Sequence, residues 1–360
     1  MRCTRLKLIQ FRNYEKASFQ TPGRIVCITG PNGSGKTTIL DAVHYACFTR
    51  SYFAHSDQHN VRNGNQGFRI DATLEELKPH EVTCILREDG RKEFSLDQEP
   101  CKQFSSHIGR FPCIFIAPDD TELISGAGEL RRRFLDTMIG QVSSDYLQSL
   151  IRYNRVLQQR NALLKLWALS GTVDTALLDV YSQQLAEQGT LIYHQRKNYL
   201  EHYIPLVKLL YATLCMEQEP CSIQYQSALN DHLMYPMLQS ALEKDRVLQR
   251  TTAGIHRDDL VFKLNDMPLK QVASQGQRKS FLFALKLAQY EMVSRLTGKQ
   301  ALLLLDDLFE KLDEKRSRQL TEYILQCSGQ VWITDTHVER LLPAFEQSEQ
   351  EVTWISLTNE

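Results

Sequence analysis

Gly30-Pro31-Asn32-Gly33-Ser34-Gly35-Lys36-Thr37 follows a β-rich run, 24–29, and precedes a segment with Leu40, Val43 and Cys47 at helical spacing. The octet matches G-x-x-x-x-G-K-[ST], and a strand before it with a helix after it is the context that motif requires. Glycines let the backbone curl until successive N–H groups point at phosphate oxygens, and the following helix adds its dipole. Lys36 offers an ammonium to β- and γ-phosphates, and the Thr37 hydroxyl suits Mg²⁺. A chance glycine-rich turn holding a lysine is the plain alternative. The full consensus between correctly ordered flanks makes it a poor one.

Working outward, Ala301-Leu302-Leu303-Leu304-Leu305-Asp306-Asp307 has the length and apolar content of a buried parallel strand that delivers carboxylates at its C-terminal end. Asp306 is the expected Mg²⁺ holder, and Asp307 is placed to orient or deprotonate the attacking water. Aspartates also end strands in ordinary turns, so this run gains its meaning from the phosphate loop. Ala273-Ser274-Gln275-Gly276-Gln277 precedes a helix whose apolar face carries Phe281, Leu285, Ala288 and Met292. Ser274 can cap that helix, whose free N–H groups form a second anion site. A simple P-loop enzyme has no use for it. Two chains that share each nucleotide do.

The chain has 360 residues, 42% of them hydrophobic and 24% charged, enough for two or three packed units. No apolar run approaches the ~20 residues of a membrane span. Residues 1–8 alternate charged and apolar positions without a signal-peptide core. The nine cysteines form no C-x-x-C pair or zinc-finger spacing, which suits free thiols in a cytoplasmic protein. A net charge of −1 means that any nucleic-acid contact must come from a local patch.

Strands are expected within 2–29, at 68–74 and 82–87 around Lys78-Pro79-His80, and at 111–117. Helical spacing takes over at 129–167. Asp174 is a candidate N-cap for a second long helix that Pro205 kinks or ends. The stripes on these helices read as mutual packing. β character returns at 222–225 and 259–264. The fold class expected is α/β: an ABC-type P-loop ATPase head plus a mainly helical second lobe. Its parts are 1–125 (P-loop lobe), 126–249 (helical insertion) and 250–360 (signature motif and acidic strand).

The P-loop, S-x-G-Q signature, paired aspartates and the following Glu310-Lys311-Leu312-Asp313 stand in ABC-ATPase order. The insertion is larger than in transporter ATPases and lacks the sustained heptads of SMC arms. Leu6-Lys7-Leu8-Ile9-Gln10-Phe11-Arg12-Asn13-Tyr14, Pro118-Asp119-Asp120, Arg131-Arg132-Arg133-Phe134-Leu135-Asp136 and Gly254-Ile255-His256-Arg257-Asp258-Asp259-Leu260 then narrow the choice. Together they resemble the RecF family of bacterial DNA repair and recombination proteins, almost from end to end. The sequence departs from that family at Ile255, where proline is usual, and at Arg278-Lys279-Ser280, where Q-R-T is usual.

The resemblance implies ATP and Mg²⁺ as cofactors and a head-to-tail homodimer with two ATP molecules at its interface. It also implies DNA binding in that state, slow hydrolysis, and work with RecR and RecO in directing RecA onto gapped DNA. It places residues 30–37, Thr38 and Arg12 around the nucleotide. Ser274, Gly276 and Gln277 would face the ATP of the other copy, and Asp313 the dimer interface. Asp307 stands where transporter ATPases have glutamate, one methylene longer; poorer positioning of water would make turnover slow. Asp335 and His337 are both candidates for the ABC switch residue, and Asp119 lies nearest the magnesium-contacting glutamine.

Arg131, Arg132, Arg133 and Arg152, with Arg155, Arg160, Arg50 and His55 nearby, are candidates for a DNA-backbone patch. A solvated helix face is the competing explanation for each arginine. No sequence-reading motif is present, so backbone recognition is expected. An SMC-like structural ATPase, or a nuclease-associated ATP switch, is the rival function. A small-molecule P-loop kinase is weaker, because it leaves the signature motif without a purpose.

Overall fold

The computed structural model describes residues 1–172, 174–215, 220–309, 313–346 and 348–358. The chain divides into two compact units. The first comprises Met1–Thr121, the end of a long helix near Thr213, and Lys279–Glu360; the second comprises Glu122–Ala212 and the return through Arg278.

In chain order the strands are Arg2–Phe11 (β1), Tyr14–Gln20 (β2), Ile25–Thr29 (β3), Phe68–Glu75 (β4), Pro79–Leu86 (β5), Lys92–Leu96 (β6), Glu99–Pro100 (β7) and Cys113–Ile116 (β8). The second unit contributes Cys221–Gln226 (β9), Asp259–Leu264 (β10) and Met267–Pro268 (β11). Leu302–Leu305 (β12), Val331–Asp335 (β13) and Val352–Ser356 (β14) return to the first.

The first unit holds two sheets. An antiparallel sheet runs β2-β1-β4-β5-β6-β7, with Leu6 opposite Ala72 and Leu8 opposite Ile70. Alternation sends Leu6, Leu8, Ile70, Leu74 and Cys84 inward, each 0% exposed. A parallel sheet runs β14-β3-β13-β12-β8. Its inner strands read as unbroken apolar runs because both faces are covered. The Lys36–Phe48 helix touches strands of both sheets and is buried at nearly every position. Gln330 stitches the sheets together. Its buried amide donates to the carbonyls of Thr21 and Gly23, and its oxygen accepts the Cys3 N–H at 2.8 Å.

The second unit is mainly helical, with Gly128–Val142, Ser144–Ser170 and Thr175–Cys215 beside the small antiparallel sheet β11-β10-β9. The helical stretch expected over 129–167 is two helices. Ser143 caps the second by accepting the Tyr146 N–H at 3.1 Å. Asp174 Oδ1 accepts the Leu177 N–H at 2.9 Å at the start of the next. Pro205 does not end that helix, which continues to Cys215. Tyr203, Val207 and Tyr211 are buried around it, and their burial outweighs the ~3 kcal/mol cost of an internal proline.

The division falls at 121/122 and 278/279, not at 125/126 and 249/250. β10 and β11 pair into the small sheet of the helical unit, which draws residues 250–278 into it. Among the described residues no helix is long and apolar enough to cross a membrane.

Candidate nucleotide site

The phosphate loop joins the C-terminal end of β3 to the Lys36–Phe48 helix. Gly33 has φ +84°, and Gly35, the helix N-cap, has φ +98°. A Cβ on Gly35 would lie 2.5 Å from Asn13 Nδ2 and 2.7 Å from Tyr14 Oη, so only glycine fits. Ser34 Oγ is buried inside the loop without a hydrogen-bond partner among the described residues, a polar atom placed in a cradle for a polar group. Lys36 Nζ donates to the carbonyls of Gly30 and Pro31 at 2.9 and 3.2 Å. Pro31, Asn32 and Gly33 are exposed on the outer side of the turn, and Thr38 is buried one residue past Thr37.

β12 lies beside β13 in the parallel sheet, and β13 lies beside β3. That order brings Asp306 to the loop. Thr37 Oγ1 donates to Asp306 Oδ1 and Oδ2 at 3.0 and 2.9 Å. Thr334 donates to Asp306 Oδ1 at 2.8 Å, and its hydroxyl accepts the Asp307 N–H at 2.8 Å. Burial raises the Asp306 carboxyl to about 6, and the charge of Asp307 adds to the rise. Hydrogen bonds from Thr334 and Thr37 oppose it. Thr37 and Asp306 are hard oxygen donors side by side, which fits Mg²⁺ completed by waters and phosphate oxygens. Asp307 follows at φ +44°, turning the chain away from the strand.

Thr334 was not picked out from the sequence. Its hydroxyl matters only because β13 is the neighbour of β12, which no local pattern reveals. Asp335 is fully buried, with Oδ1 accepting the His337 N–H at 2.9 Å; His337 itself is exposed. Asp119 is exposed. The partly buried carboxylate in that segment is Asp120, which pairs with Lys286 at 3.1 Å and accepts from Tyr52 Oη. Arg12 is committed to Asp41 at 2.5 Å and to Asn60 Oδ1 at 3.1 Å. Its expected contact with the nucleotide therefore competes with a buried ion pair.

In the second unit Ser274 and Gln277 form a capping box at the start of the Gln275–Thr297 helix. Ser274 Oγ accepts the Gln277 N–H at 3.2 Å, and Gln277 Oε1 accepts the Ser274 N–H at 2.7 Å. Ser274 is exposed and Gly276 half-buried in the first turn. Asp313 caps the Glu314–Gln326 helix through the Arg316 N–H at 2.9 Å. Glu310, Lys311 and Leu312 lie outside the described residues.

The basic cluster expected to meet DNA is largely spent on internal partners. Arg131 grips Asp259 with Nε and Nη2 at 2.8 and 2.9 Å and is 12% exposed. Arg132 donates to the Asp258 carbonyl at 2.8 Å, and Arg133 pairs with Glu129. Arg160 is fully buried against Asp245 at 2.7 Å. Arg152 and Arg155 remain on the surface, as do Arg50 and His55.

A glycine loop feeding a buried helix, with a carboxylate delivered to its threonine from a parallel strand, defines a P-loop NTPase, and the signature run Ser274-Gln275-Gly276-Gln277 capping a separate helix makes it one of the ABC type. Residues 5–204 match a family model described as an AAA domain. Curated relatives called DNA replication and repair protein RecF include that of Flavobacterium johnsoniae, 40% identical over 94% of this chain and 95% of the relative. That of Cytophaga hutchinsonii is 38% identical over 93% and 89%. The chain belongs to the RecF family of DNA replication and repair proteins. Its fold is also that of a solved recombination mediator protein RecF with ATP from the RecFOR pathway. The TM-score there is 0.87 at 25% identity, over 93% of this chain and 92% of that one. An Smc head domain from Pyrococcus furiosus shares the fold more distantly, at TM-score 0.53 and 14% identity, over 95% and 91%.

Proposed function

We propose that this chain is an ATP-dependent DNA-binding protein of recombinational repair, with ATP acting as the clamp between two copies. The observation that carries the reading is the Thr37–Asp306 contact, which joins both halves of a nucleotide site. In the proposed cycle the loop amides take the phosphates, and Lys36 exchanges the carbonyls of Gly30 and Pro31 for β- and γ-oxygens. Thr37 and Asp306 would hold Mg²⁺, which neutralises phosphate charge when bound. Asp307 orients the attacking water. Ser274 and Gly276 of a second copy close over the γ-phosphate, their helix terminus supplying N–H groups and dipole. A RecF relative has been solved with ATP, which supports the cofactor. RecR, RecO and RecA are the partners proposed, in keeping with the family.

Light scattering tests the clamp. The expected result is a monomer that doubles in mass with ATP and not with ADP. Ser274→Arg should stay monomeric while still binding ATP, and Lys36→Ala should lose both. A mass indifferent to ATP would remove the clamp from the account.

A further inference from the structure

The run Gly254-Ile255-His256-Arg257-Asp258-Asp259 is spent almost wholly inside its own lobe. Gly254 has φ +129°, and a Cβ there would lie 2.7 Å from Tyr153 Oη. The Ile255 carbonyl accepts from Arg196 Nη1 at 3.0 Å. His256 Nδ1 sits 2.7 Å from Tyr153 Oη, and its Nε2 lies 3.1 Å from the Thr251 carbonyl. Asp258 accepts from Arg196 at 3.0 Å and from Tyr225 Oη at 2.5 Å, while Asp259 holds Arg131.

Arg257 is the exception. Its side chain is exposed and makes no ion pair or hydrogen bond with another described residue. It stands at an open cavity of about 400 Å³, lined also by Gln224, Tyr225, Gln226, Asn230 and Thr252. Asp258 lines it too, but its carboxylate is buried and engaged by Arg196 and by Tyr225 Oη, with Arg196 shared between it and Asp136 at 2.7 Å. The other amide and hydroxyl groups around the opening are neutral hydrogen-bonding partners.

We propose that this cavity binds a phosphate ester of a nucleic-acid backbone, held by the Arg257 guanidinium with the amides of Gln224 and Gln226 beside it. A planar fork matches two phosphate oxygens, and amide donors add geometry without reading base identity. The site rests on the DNA-binding reading above, and moves its centre in this lobe from the internally paired Arg131 and Arg132 to Arg257. The same chemistry would also accept free phosphate or a mononucleotide.

The test titrates wild type, Arg257→Gln, Arg257→Lys and the control Arg295→Gln, at an exposed arginine outside the proposed sites, with a labelled gapped duplex in ATP, across salt. Inorganic phosphate and dAMP are titrated in parallel, read by Tyr fluorescence. Thermal unfolding checks that the variants fold. Arg257→Gln is expected to weaken duplex binding about tenfold and to lower the salt slope by about one, with Arg257→Lys intermediate and Arg295→Gln near wild type. Duplex binding equal to wild type in Arg257→Gln overturns the proposal and leaves the DNA-binding reading intact. If wild type fails to bind duplex, that reading falls. The cavity then stands only if phosphate or dAMP perturbs wild type and not Arg257→Gln; equal responses overturn it as well.

Discussion

Thr37 Oγ1 lies within hydrogen-bond reach of both carboxylate oxygens of Asp306, so the last residue of the phosphate loop donates its hydroxyl proton to the first acid at the end of β12, two strands away. The carboxylate is 4% exposed, and burial raises its proton affinity to about 6. At pH 7 the ionised form is therefore held at a cost that ligand binding recovers. Asp306→Asn is expected to stabilise the ligand-free protein by about 1–3 kcal/mol at pH 7, while abolishing magnesium-dependent ATP hydrolysis. Urea unfolding without nucleotide, alongside phosphate release, checks both. A destabilised variant would contradict the account.

Asp307 follows on a backbone at φ +44°, a conformation that aspartate tolerates. If its short side chain limits the placement of water, Asp307→Glu should raise single-turnover hydrolysis several-fold without changing ATP affinity. An unchanged rate would remove side-chain reach as the reason for slow turnover.

His256 gives the helical lobe a pH dependence. Burial pushes its imidazole down to about 4, against 6.5 for the free residue. The folded state therefore refuses a proton that the unfolded chain accepts. Stability contributed at neutral pH is lost as pH falls below 6.5, until the folded form also titrates near 4. The advantage of wild type over His256→Gln should shrink by about 2 kcal/mol between pH 7.5 and pH 5. Denaturant unfolding at both pH values measures it; a constant difference would argue against a neutral histidine.

Arg131 should behave as a structural residue. Its two-point grip on Asp259 is mostly buried, so Arg131→Ala leaves a carboxylate without its partner. A loss of about 2–4 kcal/mol of stability is expected, with DNA affinity of the folded fraction near wild type. Large loss of DNA affinity at unchanged stability would restore this arginine to the interface.

Residues 30–37 and 301–307 were legible because their chemistry dictates residue types at fixed spacing, and because each sits in a local strand context that the sequence displays. The ABC-type fold followed from their order. Other features depend on contacts that sequence spacing does not encode. Arg131 reads as a free cation until Asp259 is found across the fold, and Thr334 gains a role only through the order of the parallel strands. Pro205 carries a local signal to stop, overridden by the buried tyrosines on either side. Ser143 splits a helical pattern whose apolar spacing continues across it, so periodicity alone ran the two helices together.

The central claim is that ATP controls DNA binding, and fluorescence anisotropy of a labelled gapped duplex tests it most directly. The duplex is titrated with the protein in ATP, in ADP and without nucleotide. Tight, steeply salt-dependent binding in ATP alone is the predicted result. Binding that is absent, or equal in all three conditions, would contradict the clamp and place the DNA contact on a partner protein.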